Sequence, residues 1–380
     1  MRILLLSAYD AASHRYWREG LVAALPHHQW TQLALPPRYF AWRIRGNSLS
    51  WAFNERATLE QPYDLIVATS MVDLTALRGL VPALASTPTL VYFHENQFAY
   101  PASGQAFKSV EPQILNLYNA LAADLVVFNS AFNRDSLLQG ARSLLRKLPD
   151  QIPAGLPERI QQKSTVVPVP LSEQIFTAAA PASHQPPAWD NNTEHPATEP
   201  LKIVWAARWE FDKGPDRLLA ILRELERRGT NFRICILGER FRNSPAEFDT
   251  IEQEFSHRLA QFGYVESGEE YRAWLASADV ILSTALHEFQ GIAVLEAIAG
   301  GAIPILPNRQ VYPELVPQDY LYSSHEADVV REAAAAADLL ERAAGKALVS
   351  PDVSRFSWPT LGPRYQELLE QLHTYPNSTL

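Results

Sequence analysis

Glu288 and Glu296, with seven residues between them, form the densest chemical signal in the chain, inside STALHEFQGIAVLEAIAGGAIPI, 283–305. A strand is predicted to end near Thr284; a loop then carries His287, Glu288 and Phe289, and Gln290-Gly291 opens a helix. The first turn of a helix leaves backbone amides unsatisfied, so residues 289–291 are expected to form an anion site. Glu288 precedes that helix and Glu296 lies more than a turn along it, so both carboxylates can face one cleft at different depths. Carboxylates that accept from vicinal hydroxyls hold sugars and riboses. Glu296 sits in an apolar run, where an unpaired charge is costly, and so requires a partner.

A second cluster lies in AARWEFDKGPDRLL, 206–219. Arg208 and Lys213 follow a strand and precede the helix begun by Gly214-Pro215. Two cations at a strand's carboxyl end would neutralise a diphosphate; the competing reading is a pair of surface cations balanced by Glu210 and Asp212. His94 opens HENQ directly after the apolar run TLVYF, where it either faces a ligand or caps the core. Glu95, Asn96 and Gln97 add groups suited to hydroxyls, or to structure alone. RYFAWRIRG, 38–46, gathers Arg38, Arg43 and Arg45 around Tyr39, Phe40 and Trp42 in a chain whose net charge is −9. Cations beside aromatic rings suit phosphates and unstacked bases, and also suit an ordinary helix edge or surface hairpin. The chain has no Asp-x-Asp, no His/Cys group at metal spacing and no Gly-x-Ser-x-Gly. No metal is therefore expected; cations and helix amides would carry a leaving diphosphate.

Short apolar runs must position these residues. Strands are predicted at 2–8, 64–70, 89–93, 124–130 and 164–169, with a helix over 111–123. The Pro-, Ala- and polar-rich stretch 176–200 has no period and is predicted to be a linker. Strands then resume at 201–207, 232–238, 278–284 and 302–307, with helices at 215–228, 246–261, 268–276 and 291–300. Two such series predict an α/β protein of two Rossmann-like domains facing each other across a cleft, 1–175 and 201–354. An amphipathic helix within 355–380, apolar at Tyr365, Leu368, Leu369 and Leu372, either finishes the second domain or crosses back to the first. A length of 380 residues accommodates both domains. The single cysteine, Cys235, excludes a disulfide framework and fits a reduced compartment. MRILLLSAYD reads as a first strand rather than a leader, no run is long enough to span a membrane, and a cytoplasmic location is expected. The acidic balance argues against indiscriminate nucleic-acid binding and leaves room for a local RNA contact.

Arg208-x4-Lys213 followed by Glu288-x7-Glu296 resembles the retaining GT-B glycosyltransferases of the GT4 type, and 262–285 is similar to their base-binding segment. In the first half, SHR (13–15), LPPRYFAWRIRGNSLSW (35–51), VYFHENQFAYP (91–101) and DLVVFNSAFNRDSLL (124–138) resemble the tRNA-queuosine mannosyltransferase family. So do RWEFDKGPD, LGERF, HEFQGIAVLEA and VYPELVPQDYLYS in the second. The resemblance implies retaining transfer of mannose from GDP-mannose to the cyclopentenediol of queuosine in a tRNA anticodon. It implies donor contacts from Arg208, Lys213, Gly238, Tyr264, Glu288, Phe289, Gln290, Gly291 and Glu296, with His94 at the transferred sugar. Acceptor contacts are implied for Ser13, His14, Arg38, Trp42, Arg43, Arg45, Asn96 and Gln97. Ala11-Ala12 stands where that family tends to have Gly-Gly; alanine disfavours positive φ, so this loop is expected to serve the acceptor. The competing readings are a GT4 enzyme acting on a lipid or small glycan, and a non-catalytic nucleotide-sugar- or RNA-binding protein.

Overall fold

The computed structural model describes residues 1–99, 109–148, 150–177, 188–189, 199–240 and 244–374. Most of the predicted linker, 176–200, lies outside the described residues.

Runs of consecutive aliphatic residues suit parallel strands covered on both faces. Six of them build the first sheet: β1 (Arg2–Ser7), β2 (Gln29–Ala34), β3 (Leu65–Thr69), β4 (Thr89–Phe93), β5 (Leu125–Phe128) and β6 (Ser164–Val166). Their order is β2-β1-β3-β4-β5-β6, every pairing parallel. Ile3 to Leu6 of β1 and Leu65 to Thr69 of β3 are sealed from solvent. The second sheet contains β7 (Leu201–Ala206), β8 (Phe232–Leu237), β9 (Leu259–Gly263), β10 (Val280–Leu282), β11 (Ile303–Pro307) and β12 (Leu321–Tyr322), ordered β12-β11-β10-β7-β8-β9 and again parallel. Each sheet with its helices forms its own core, and the fold class is GT-B, two Rossmann-like units.

Three strands escape the apolar-run rule. β2 and the short β12 are edge strands, and β2 carries two glutamines on half-exposed backbone. The helix expected over 246–261 stops at Glu254, and Leu259–Gly263 becomes edge strand β9. The break follows Phe255, whose side chain is buried beside Phe248 and Ile251, with the chain turning at residues 256–258.

The chain divides into two compact units. One unit is Met1–Pro170 completed by the terminal helix Trp358–Thr374, and the other is Leu171–Ser357. Leu171 donates its amide to the Phe356 carbonyl at 2.7 Å, so the outgoing and returning strands of the chain pair inside the second unit. The terminal helix buries Tyr365, Leu368, Leu369 and Leu372 against the first unit, and Trp17 donates its indole N–H to the Tyr365 hydroxyl at 3.1 Å.

Candidate active site

Two loops at the carboxyl end of the second sheet are locked together by backbone chemistry. Gly214 has φ +64°, and a Cβ there would lie 2.2 Å from the Thr284 carbonyl oxygen, so glycine is required by conformation and by space. Leu286 and His287 donate their amides to the Asp212 carbonyl, and the Thr284 hydroxyl donates to the Lys213 carbonyl at 2.7 Å. That scaffold brings together Lys213 and Glu288, 75 residues apart. Lys213 Nζ is buried, and donates to the His287 carbonyl (2.9 Å), Glu288 Oε2 (3.2 Å) and Asp212 Oδ2 (3.1 Å). An ammonium has three protons, so all are committed. Burial lowers the Lys213 pKa, but Glu288 and Asp212 outweigh it and hold the amine charged.

Glu288 performs the role sequence reserved for a ligand. Its Oε1 accepts from the amides of Phe289 (3.0 Å) and Gln290 (3.4 Å), in the loop that leads into the helix Ile292–Ala299. Burial raises its pKa, yet Lys213 and the Gly291 and Gln290 amides bring the carboxyl below its ordinary value. In this structure the Phe289 and Gln290 amides of the segment 289–291 are directed at the protein's own carboxylate. Phe289 and Gln290 are buried and Gly291 takes φ +70° at the helix start.

Glu296 has the partner its surroundings demand: the Tyr271 hydroxyl donates to its Oε2 at 3.2 Å. Burial nevertheless pushes its pKa up to about 7. Arg208 lies more than half exposed beside Glu210, at 3.1 Å, and Tyr264 is 65% exposed just after β9. Gly238 is structural in its contacts. A Cβ there would meet the Ala207 carbonyl oxygen at 2.0 Å, and its amide donates to Gly263.

Sequence reasoning missed the supports of this site. Gln310, with φ +54°, accepts the Glu288 amide on Oε1 at 2.8 Å and donates through Nε2 to the Leu286 carbonyl. Arg309 donates to the Ala285 carbonyl at 2.9 Å and pairs with the fully buried Glu332 at 2.8 Å, which also meets Arg217 at 3.2 Å. No motif marks these residues, because each acts on a loop some 20 residues away in sequence.

In the first unit His14 and His94 stack face to face, 4.2 Å between ring centroids, with Trp17 edge-on to His94 at 5.0 Å. Burial, with His14 alongside, pushes His94 well below the ordinary imidazole value, so the ring is neutral. Its Nε2 is buried without a hydrogen-bond partner among the described residues. Asn96 is fully buried, donates to Asn133 and Ser136, and accepts from the Phe98 and Ala99 amides. Ser13 is exposed, while Gln97 is half-buried with its amide donating to Asn116.

RYFAWRIRG is a helix start, not a hairpin. Tyr39, at φ +53°, begins the helix Phe40–Asn54. The three arginines part company there. Arg38 is exposed near the Tyr39 ring, Arg45 pairs with Asp73 (2.9 Å) and Glu111 (3.0 Å), and Arg43 is buried. Trp42 is 55% exposed and Phe53 74%. Ala11 takes φ −62°, comfortable for alanine, so the loop after β1 does not need glycine.

Residues 2–171 match the family described as tRNA-queuosine alpha-mannosyltransferase N-terminal, and residues 188–343 match glycosyl transferases group 1. The chain is 33% identical to the tRNA-queuosine alpha-mannosyltransferase of Drosophila melanogaster over 325 residues, 86% of this chain and 84% of that protein. A shorter stretch is 30% identical to the GDP-mannose:cellobiosyl-diphosphopolyprenol alpha-mannosyltransferase of Xanthomonas oryzae pv. oryzae, over 29% of this chain and 30% of that one. Among solved structures, Anabaena HepE with UDP superimposes at a TM-score of 0.61 with 14% identity, covering 97% of this chain and all of the other. A Rickettsia africae glycosyltransferase gives 0.63 with 15% identity, covering 97% of this chain and 98% of that one. These structural likenesses establish the fold.

Proposed function

Since the chain belongs to the tRNA-queuosine alpha-mannosyltransferase family, we propose that this glycosyltransferase transfers mannose from GDP-mannose to the cyclopentenediol of queuosine in a tRNA anticodon, with retained configuration. The observation that carries the proposal is the match over residues 2–171. A lipid- or glycan-directed enzyme of the same class would share the donor residues and need a different first half. Among the described residues no helix is long and apolar enough to cross a membrane.

The second unit is assigned the donor. Arg208 and Lys213 would stabilise negative charge building on the departing diphosphate, with Lys213 exchanging one of its present carboxylate partners for phosphate oxygen. Glu296 is assigned the ribose hydroxyls, Glu288 and the 289–291 backbone the hexose, and the exposed Tyr264 ring a face for the base. His94, a neutral imidazole, is the first unit's candidate for the transferred sugar. No side chain is assigned as a covalent nucleophile.

The test is to incubate purified protein with queuosine-containing tRNA and GDP-mannose, with UDP-glucose and GDP-glucose in parallel, and weigh the nucleosides after digestion. A hexose added to queuosine from GDP-mannose alone is the expected result, and it should persist in EDTA if Arg208 and Lys213 carry the leaving group as assigned. Transfer to a polyprenol diphosphate with none to tRNA would replace this reading with the lipid one.

A further inference from the structure

Arg43 is a buried cation with no anion. It is 8% exposed, and Nε is sealed from solvent without an acceptor. Among the described residues no carboxylate or carbonyl accepts a hydrogen bond from its guanidinium. Its helix neighbour Arg45, by contrast, is paired twice on the surface. A guanidinium does not lose its proton at any ordinary pH, so burial cannot be relieved by neutralisation. A guanidinium sealed at Nε without an acceptor is held at a cost, and a phosphate reaching its terminal nitrogens would supply the counter-charge.

The position of Arg43 points to a ligand independently. Phe40, Arg43 and Asn47 lie on one face of the helix Phe40–Asn54, at three- and four-residue spacing. Phe40 packs edge-on to Tyr9 in the loop after β1, with centroids 5.9 Å apart. Asn47 donates to the Met71 carbonyl at 3.1 Å and accepts from the Asp73 amide at 3.0 Å, both in the loop after β3. Arg43, between them, is therefore held over the carboxyl ends of β1 and β3. In the order β2-β1-β3-β4-β5-β6, the chain leaves β1 toward one edge for β2 and toward the other from β3 onward. That reversal is a topological switch point, the crevice where open α/β sheets bind ligands. Thr69, the last residue of β3, buries a hydroxyl there that also lacks a hydrogen-bond partner. Asp10, in the same loop as Tyr9, is neutralised by Arg18 at 3.0 Å and Arg15 at 3.5 Å and does not serve Arg43.

We propose that Arg43 is the charge of a phosphate-binding subsite at the switch point of the first sheet. The phosphate belongs either to the backbone of the RNA acceptor or to the diphosphate of the donor. The subsite deepens the acceptor reading above and rests on it only for the first of these sources. Planar guanidinium matches phosphate oxygens two at a time, and the unpaired terminal nitrogens are the open end of the group.

The test joins stability to binding, because the two should move in opposite directions. Arg43→Met removes the unpaired charge, so its melting temperature without ligand should rise by roughly 2–4 °C. Inorganic phosphate or pyrophosphate should raise the melting temperature of the wild type and of Arg43→Lys, and leave Arg43→Met unmoved. Affinity for one source should fall roughly ten- to a hundredfold in Arg43→Met. A loss for unmodified and queuosine-containing tRNA with GDP binding intact assigns the RNA backbone; the converse assigns the donor. Neither outcome depends on which nucleoside is glycosylated, so failure of the transfer assay leaves this test standing. A wild type whose melting temperature ignores phosphate overturns the subsite, as does an Arg43→Met protein that melts lower and binds both ligands normally.

Discussion

Lys213 and Glu288 are bonded to each other at 3.2 Å, and this changes what substitution there can report. Removing the amine leaves the partly buried Asp212 and Glu288 as neighbours without a cation. Breaking a buried pair from one side costs about 3–5 kcal/mol, so Lys213→Ala should show a markedly lower urea midpoint as well as lost transfer. Glu288→Gln keeps an acceptor for the Phe289 and Gln290 amides, so its stability should fall less while transfer drops about 10²–10³-fold. Equal midpoints for Lys213→Ala and wild type would contradict a stabilising role for the buried amine and its two carboxylates. Glu296 offers a pH test. Its folded pKa, about 7, is raised by burial from the ordinary 4.5, so folding takes up a proton. That contribution to stability is complete below the ordinary value and is lost as the pH rises through 7. A ribose diol donating to the carboxylate favours the ionised form, so GDP affinity should weaken below about pH 7, at most roughly tenfold per unit, and flatten in Glu296→Gln. Parallel pH profiles for the two proteins would remove Glu296 from the ribose. These carboxylates and Lys213 were legible in sequence because a strand end followed by Gly-Pro or Gln-Gly has a local grammar. Gln310, Arg309 and Tyr271 were not, since their partners come from elsewhere in the chain and no spacing rule joins them.

The helix Phe40–Asn54 shows how much an element decides that composition cannot. A run of arginines and aromatics is symmetrical on the page; wound into a helix, it sorts into a buried face with Arg43 and Asn47 and an outer face with Trp42, Leu49 and Phe53. The four- and three-residue steps of Trp42, Gly46, Leu49 and Phe53 make one stripe, and the Trp42 indole lies over Gly46, where a Cβ would meet it at 2.2 Å. Neutralising all three arginines together would therefore mix a surface salt-bridge effect, a buried-charge effect and any RNA contact. Single aromatic variants separate them. If Trp42 stacks on a splayed base, Trp42→Ala should weaken tRNA binding by about 1–3 kcal/mol with GDP affinity and melting temperature unchanged. Filter binding at two salt concentrations reads this, and a stacking contact should leave the salt slope intact. Unchanged tRNA affinity would return the outer face to plain surface. At the same scale, the sequence rules that found the central strands and the edge strand β6 failed at the other three edges. β2 and β9 are half-exposed, so they carry the polar residues that a search for continuous apolar runs rejects.

At the scale of the molecule, the first unit is discontinuous: its sheet is complete by Val166, but its helical cover ends with Trp358–Thr374, after the whole second unit. Amphipathicity at Tyr365, Leu368, Leu369 and Leu372 was readable from sequence, but its destination was not, because an apolar stripe names no partner. The contacts supply it. Trp17 donates to the Tyr365 hydroxyl, which donates to the Pro168 carbonyl at 3.0 Å. Trp358 covers Gly20, where a Cβ would come within 2.5 Å of the indole, and His27 and His28 both meet Gln366 Oε1 at 3.0 Å. Burying four large side chains contributes about 6–12 kcal/mol at 1.5–3 each, an upper bound because unfolded chains already hide some surface. That is comparable to the whole stability of an ordinary domain. A chain stopped after Ser357 should therefore keep the second unit folded and lose the first. Its denaturant profile should retain the transition of the second unit and lose the other, and Leu369→Ala in the full chain should move that other transition alone, by about 2–5 kcal/mol. If the shortened chain instead unfolds in the same two steps as the complete one, the terminal helix is an ornament on the first unit rather than part of its core.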